Sequence, residues 1–202
     1  MNALTKKLKK TGGFTLSEVL VAVLILVMIS ATALPAALNA YKNAVDAANG
    51  QVLFSTAVNA LRSELSTAWD VTASEKTISY KSSATGSNCE ISIGTPSGEE
   101  QETILLKEYM TESGVGWLSE ELKPEVVSPL VSKAMRRTTR SSGEYMTVVY
   151  NTAALSGDGK YVSIGGLTVK RGDSILAEMP AGTNLLIRIM TKSDSPVEGD
   201  SP

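Results

Sequence analysis

The sequence predicts an α+β protein in which one long N-terminal helix, with a membrane half and an amphipathic half, packs on an antiparallel β-sheet. Three observations lead to this prediction. An uncharged apolar run extends from Val19 to Leu38, apolar residues recur at spacings of three and four from Val52 to Trp69, and short alternating or β-branched runs follow Asp70. These patterns are typical of a membrane-spanning helix, a helix with one buried face, and strands, respectively.

The amino-acid composition excludes most of the common kinds of catalytic site. The 202 residues include no histidine and a single cysteine, Cys89. Without histidine there is no Ser-His-Asp triad, no Cys-His pair and no His-ligated zinc, and one cysteine allows neither an intrachain disulfide nor a Cys-cluster metal site. Carboxylate pairs or a Ser-Lys pair remain open, but no spacing singles one out. We therefore expect no enzymatic activity, no cofactor and no metal.

The charges are divided unevenly along the chain. The net charge is −2, yet residues 1–13 carry four lysines and no acid, so the acidic excess belongs to the remainder. The lysines precede the twenty-residue apolar run, and the positive-inside rule then places Met1 in the cytoplasm and the rest of the chain outside. An acidic body with a basic tail argues against binding of nucleic acid.

A carboxylate interrupts the start of the apolar segment. The order is Thr11-Gly12-Gly13-Phe14-Thr15-Leu16-Ser17-Glu18-Val19-Leu20. A charge within a bilayer costs about 2.5–3.5 kcal/mol at mid-depth, so Glu18 should have a partner. No basic residue follows within twenty positions, and the partner must come from another chain, a terminus or the headgroup region. The alternative is that Glu18 is only an interfacial residue at the start of the helix, where the helix dipole favours a negative charge.

The segment GGFTLSEVLVAVLILV resembles the start of a type IV prepilin, the class III signal of pilins and pseudopilins. The resemblance implies cleavage after Gly13 by prepilin peptidase on the cytoplasmic side and N-methylation of the new terminus, Phe14. It assigns subunit assembly to Glu18 and a helix bend to Pro35. Ser17 departs from the family, which usually has an aliphatic residue there.

The resemblance also implies partners and a location. The expected partners are prepilin peptidase, other pilin subunits in a homo-oligomeric filament, an assembly platform membrane protein and an ATPase. The chain would span the cytoplasmic membrane once before assembly and then form an extracellular filament. Two alternative interpretations of the N-terminal segment are a secretory signal peptide, cut near Ala33–Ala37, and a plain membrane anchor.

These features divide the chain into five expected parts. They are a basic leader (1–13), a transmembrane and filament-core helix (14–38), its amphipathic second half (39–70), an antiparallel sheet domain (71–192) with an insertion (117–140), and a disordered tail (193–202). The apolar stripe of the second half comprises Val52, Phe54, Ala57, Val58, Leu61, Leu65, Ala68 and Trp69. Asn49-Gly50 is a candidate bend or interruption. The resulting shape is pilin-like.

Seven runs after Asp70 are predicted strands. They are Thr77–Lys81, Glu90–Ile93, Thr103–Tyr109, Met146–Asn151, Tyr161–Ile164, Leu167–Lys170 and Leu185–Thr191. Gly-, Ser- and Pro-rich turns separate them, and the last three are predicted to form an antiparallel meander.

The stretch 117–140 is predicted to be a loop and a short helix, with one apolar stripe of Val126, Val127, Leu130, Val131 and Met135. Its basic cluster of Lys133, Arg136, Arg137 and Arg140 is interpreted as a solvated face, with a DNA or adhesion contact as the alternative. Cys89 is interpreted as a small core residue. The acids Asp158 and Asp173 do not match the spacing of a known calcium loop.

The sequence therefore favours a structural subunit of a type IV pilus-like filament. A minor or tip pilin, or a pseudopilin, acting in adhesion, DNA uptake or secretion is the alternative within this class. A membrane-anchored extracellular domain, including a stalked hydrolase, is the alternative outside it.

Overall fold

A computed structural model describes residues 15–109, 126–139 and 144–190. Within these ranges the chain forms one helix, α1 (Leu16–Ser66), and eleven strands. The strands are β1 (Ala68–Ser74), β2 (Thr77–Ser82), β3 (Asn88–Gly94), β4 (Thr103–Tyr109), β5 (Val126–Pro129), β6 (Thr147–Val149), β7 (Thr152–Leu155), β8 (Tyr161–Gly165), β9 (Thr168–Arg171), β10 (Ser174–Glu178) and β11 (Asn184–Arg188). A long N-terminal helix with a mostly antiparallel sheet confirms the predicted α+β class.

The chain divides into two compact units between Ala44 and Val45. The first unit contains the N-terminal part of α1, whose apolar side chains are exposed from Leu16 to Leu38. The second unit contains the remainder of α1 and all eleven strands. In this unit, the helix buries one stripe against the sheets: Asp46, Gly50, Leu53, Ala57, Leu61 and Leu65.

The second half of the helix differs from the prediction in three places. The helix ends at Ser66, not at residue 70, because Ala68 and Trp69 already pair with β2 and the Ala68 carbonyl accepts a hydrogen bond from the Met190 amide. Val52, predicted to be buried, is 59% exposed, and Leu53 takes the core position. The Asn49-Gly50 pair does not interrupt the helix.

Eight strands form the larger sheet. Its order is β1-β2-β3-β4-β6-β9-β10, and β5 also pairs with β4. Along one edge, strand β4 pairs with β3. Along its other edge it pairs with two strands: Thr103 pairs in parallel with Val148 of β6, and Leu105–Glu108 pair antiparallel with β5. The parallel β4–β6 bridge is the exception in an otherwise antiparallel sheet.

The remaining three strands form a smaller antiparallel sheet in the order β11-β8-β7. The predicted meander of the last three runs is therefore wrong. Strand β8 pairs with β7 and β11, whereas β9 belongs to the larger sheet, where it pairs with β6 and β10. Positive φ at Gly166 (68°) turns the chain between β8 and β9, where the Asn151 side chain packs against the glycine.

The described part of the predicted 117–140 insertion is a strand and turn, not a helix. Val126–Pro129 form β5, and Pro129 and the β-branched Val126 and Val127 suit an edge strand better than a helical turn. Val131 then enters the core. Residues 117–125 and 140 lie outside the described ranges, as does the predicted tail 193–202.

One apolar core unites the second half of α1 with both sheets. The helix contributes Leu53, Ala57, Leu61 and Leu65, and alternate residues of the strands face them. Cys89 is 6% exposed within this core, as predicted. Apolar burial of this extent is the main stabilising contribution to the second unit.

Candidate functional site

The N-terminal segment holds all the residues that the sequence assigned to processing and assembly. Gly13 and Phe14, the predicted cleavage and methylation positions, lie outside the described residues. Glu18 lies in the first turn of α1, and Pro35 lies inside the helix. The Pro35 ring lacks an amide hydrogen, so the helix loses one backbone hydrogen bond there, and the associated bend stays a prediction.

Thr15 and Glu18 cap the start of the helix reciprocally. The Thr15 amide donates to Glu18 Oε2 at 2.8 Å, and the Thr15 hydroxyl donates to the same oxygen at 3.0 Å. In return, the Glu18 amide lies 3.3 Å from Thr15 Oγ1. This is a capping box, which satisfies free amides at the helix start and places a negative charge at the positive end of the dipole. The pattern Thr-x-x-Glu was present in the sequence and signals it directly.

The rest of the segment presents apolar side chains on all sides. Leu16, Val19 and Leu26 are 86%, 47% and 66% exposed, and similar values continue to Leu38. By length and composition the helix can cross a membrane. Glu18 is the one charged residue from Thr15 to Leu38. A fully apolar surface with one carboxylate needs lipid or other apolar helices around it.

A set of buried polar contacts holds the helix to the larger sheet, and sequence reasoning missed it. Asp46 is completely buried. The Arg171 guanidinium donates to Asp46 Oδ2 at 2.6 Å, and the backbone amide and hydroxyl of Thr139 each donate to Oδ1 at 2.9 Å. Asp46 therefore joins α1 to the end of β9 and to the segment after β5.

The titration of Asp46 reflects this environment. Burial raises the pKa of the carboxyl group, but the hydrogen bonds from Thr139 and the charge of Arg171 outweigh it and hold the pKa below its ordinary value. The buried carboxylate is thus ionised and paired at neutral pH. An isolated buried charge would be costly, so the three donors offset the cost of burying Asp46.

A second buried ion pair corrects the interpretation of the basic cluster. Arg136 is 0% exposed, and its Nη2 donates to both carboxylate oxygens of Glu99, at 2.8 and 2.6 Å. Its Nε lies 3.3 Å from the Val131 carbonyl. Arg136 is therefore a structural residue that joins the turn after β5 to the loop after β3. Lys133 and Arg137 remain exposed, and Arg140 lies outside the described residues.

The sequence contains one indication that Asp46 is buried, its helical spacing, and none that identifies its hydrogen-bond partners. Asp46 precedes Gly50 by four residues and continues the buried stripe of α1, so an acid on the apolar face is visible in the sequence. Arg171, by contrast, is 125 residues away, and Thr139 is 93 residues away. No local pattern can pair residues at such distances.

A shallow groove crosses strands β1 to β4 near Asp70, Glu90 and Tyr109. Glu90 is engaged there: Lys107 Nζ lies 2.6 Å away and the Tyr109 hydroxyl donates at 3.1 Å. Burial raises the pKa of the Cys89 thiol beside the groove, and the nearby carboxylates of Glu108 and Glu64 raise it further. A protonated thiol is a poor nucleophile.

Among the described residues there is no group of three or more His, Cys, Asp or Glu side chains placed to hold a metal ion. The Asp158 carboxylate is occupied by the Ser156 hydroxyl and the Lys160 amide within one turn. Asp173 lies in the separate turn between β9 and β10.

Comparison with known proteins bears on the N-terminal segment alone. The family model described as the prokaryotic N-terminal methylation motif matches residues 8–34. This match confirms the resemblance to a prepilin-type signal of pilins and pseudopilins, a structural class, and supports membrane anchoring before assembly. Searches of curated proteins and of solved structures returned no significant match.

Proposed function

We propose that this chain is a structural subunit of a type IV pilus-like extracellular filament. Prepilin peptidase cleaves it after Gly13, Phe14 becomes the N-methylated terminus, and the apolar part of α1 anchors it in the cytoplasmic membrane. An assembly ATPase and a platform membrane protein then add it to the filament. The remainder of the chain lies outside the cell and coats the filament.

The observation that carries the proposal is the position of Glu18. It is the one carboxylate in the otherwise apolar, exposed stretch from Thr15 to Leu38, and it follows the Gly13–Phe14 junction within the matched motif. A plain membrane anchor would gain only a helix cap from a charge at this position. A secretory signal peptide would be removed together with it.

The capping box suggests how Glu18 is accommodated both before assembly, in the membrane, and afterwards, in the filament. Before assembly, the carboxylate accepts two hydrogen bonds from Thr15, which lowers the cost of holding it near the membrane. Cleavage creates a cationic amine on Phe14. In the filament, that amine on one subunit would face Glu18 of its neighbour, and opposite charges in a low-dielectric bundle attract strongly. The pair would set the register of the incoming subunit.

The five-part division of the chain follows from this proposal. Residues 1–13 are the leader, 14–38 the filament-core helix, and 39–70 the amphipathic part whose described helix ends at Ser66. Residues 71–192 are assigned to the outer sheet domain, although its first described strand begins at Ala68 and its 117–140 segment contains β5, and 193–202 are assigned to the tail. The chain has no catalytic role in this proposal.

A minor or tip pilin, or a pseudopilin, is the alternative role for the same processing and assembly. Adhesion, DNA uptake, secretion and motility would then depend on the outer domain. An adhesive role would reside in the segment 117–140, of which Lys133 and Arg137 are described and exposed. Abundance separates the roles, because a major subunit dominates the mass of purified filaments and a minor one does not.

The test is mass spectrometry of the full chain after co-expression with a prepilin peptidase. We expect a product that begins at Phe14, carries one N-terminal methyl group and is absent without the peptidase. Gly13→Val should block cleavage, whereas Gly12→Ala serves as the matched control and should still be cut. An uncut chain, or cleavage near Ala33–Ala37, would reject the proposal.

A further inference from the structure

The outer face of the smaller sheet is set by the strand register. Core residues Val162, Ile164, Leu185 and Ile187 alternate with outward-facing neighbours. The outward side chains form what we call the cationic face: Ala154, Tyr161, Ser163, Asn184, Leu186 and Arg188.

The cationic face combines exposed apolar groups with one positive charge. Leu186 is 63% exposed and Tyr161 is 40% exposed, and Tyr161 pairs directly with Arg188 across the strands. Strands β7, β8 and β11 contain no acidic residue. Within the described part of the chain, Arg188 forms no salt bridge. The face thus offers a cation and an apolar surface to something outside the molecule.

A complementary surface lies on the other sheet, at the turn between β9 and β10. Ile175 is 53% exposed, and Asp173 lies exposed in the turn two residues before it. Asp173, like Arg188, forms no salt bridge with any described residue. Lys170, the cross-strand neighbour of Ile175, is half-buried, whereas Asp173 is exposed. We call Asp173 and Ile175 the acidic turn.

From these two surfaces we infer that the cationic face of one copy of this chain binds the acidic turn of a second copy. Arg188 pairs with Asp173 of the neighbour, and Leu186 and Tyr161 cover Ile175. The inference rests on the proposed filament function and adds to it a specific contact between the outer domains.

Symmetry favours this arrangement over pairing of the cationic face with itself. A two-fold contact would place Arg188 opposite a second cationic face that has no acid to receive it. A contact between two different surfaces is heterologous, and repeating it builds a ring if the rotation closes and an open filament if it does not. The cationic face and the acidic turn share no residue, so a contact between them is heterologous.

Charge exchange in the full chain tests the pair. Arg188→Glu and Asp173→Arg should each lower the yield of sheared filaments, on the order of tenfold or more, because like charges then face each other. The double variant should restore most of the yield. Lys76→Glu, the same charge change at an exposed lysine in the β1–β2 turn, is the matched control and should assemble normally. Singles without effect, or a double variant no better than the singles, would overturn the inference.

Cysteine cross-linking tests the geometry separately. Filaments assembled from a mixture of Leu186→Cys and Ile175→Cys chains should give a disulfide dimer that neither variant gives alone, with the wild-type chain as background. A dimer from Leu186→Cys alone would indicate a two-fold contact and overturn the inference. Filaments without any mixed dimer would also overturn it while leaving the filament function intact, whereas a processed wild-type chain that forms no filament would reject both.

Discussion

A Cβ atom added to Gly50 would lie 2.5 Å from the Cβ of Leu176, so helix α1 and strand β10 approach more closely than an alanine permits. The Leu176 Cβ is fixed to the strand backbone and cannot rotate away. Glycine at this position is therefore required by packing, although its sequence neighbourhood had suggested an interruption of the helix.

Gly50→Ala should destabilise the second unit despite the better helix propensity of alanine. Propensity favours alanine by about 1 kcal/mol, whereas overpacking costs about 1–3 kcal/mol and here acts on a backbone-bound atom. We expect a lower urea midpoint for the full chain in detergent. Asn59→Ala, on the exposed face of the same helix, is the control and should be neutral or slightly stabilising. A midpoint for Gly50→Ala at or above the wild-type value would mean that the helix moves away without cost.

Asp46→Ala should cost about 3–5 kcal/mol of unfolding free energy, because it leaves Arg171 without its buried carboxylate. The double variant Asp46→Ala with Arg171→Met should cost less than the sum of the single changes, since it removes both members of the ion pair. Urea unfolding of the four chains measures the coupling. Additive effects would show that the two side chains contribute independently.

The pH dependence of stability should include a contribution from Asp46. Its pKa is lower in the folded chain than the ordinary value of 3.8, so its stabilisation is complete above that value and is lost as the pH falls through the folded pKa. The difference in unfolding free energy between wild type and Asp46→Asn should therefore be constant near neutral pH and shrink in strong acid. A difference that grows on acidification would contradict the sign of the pKa change.

Glu18→Gln separates the capping role of this residue from its charge. Glutamine can still accept hydrogen bonds from Thr15, so helix content measured by circular dichroism should be retained. Cleavage after Gly13 should continue, but the yield of filaments should fall because the charge is gone. Thr15→Val gives the converse control, with a weakened cap worth about 0.5–2 kcal/mol and an intact carboxylate. If the Glu18→Gln variant gave the wild-type yield of filaments, Glu18 would act only as a helix cap and its charge would not be needed for assembly.

Cys89 should resist alkylation in the folded chain. Burial raises its pKa and blocks access, so modification requires opening of the core. We expect labelling to be slower by about 100-fold or more in buffer than in concentrated urea, as followed by mass spectrometry. Equal rates in the two solvents would place the thiol at the surface.

Local patterns predicted the parts of this molecule that local interactions determine. The apolar run and the motif around Glu18 predicted the first half of the helix, and alternation predicted segments that overlap seven of the eleven strands. Strand β1 was missed because Ala68 and Trp69 continue the helical spacing of Leu61 and Leu65, and only their pairing with β2 shows where the helix stops.

The remaining contacts depend on residues that are distant in sequence. The alternation of Leu167–Lys170 is the same whether the strand pairs with β8 or with β6, so the sequence could not exclude the meander. Arg136 looks like a member of an exposed basic cluster until Glu99 is placed beside it. Buried ion pairs of this kind violate hydrophobic patterning, and each partner is uninformative without the other.

The distance between Asp46 and Arg171 along the chain also imposes an order on biogenesis. A ribosome must add 125 residues after Asp46 before Arg171 exists, which takes about 6–25 s at ordinary rates. Throughout that interval the nascent helix carries a carboxylate that lacks its cation. A chain interrupted before the end of β9 would contain a complete α1 whose Asp46 has no Arg171 to pair with. The buried ion pair between the first element and β9 can therefore form only in a nearly complete chain.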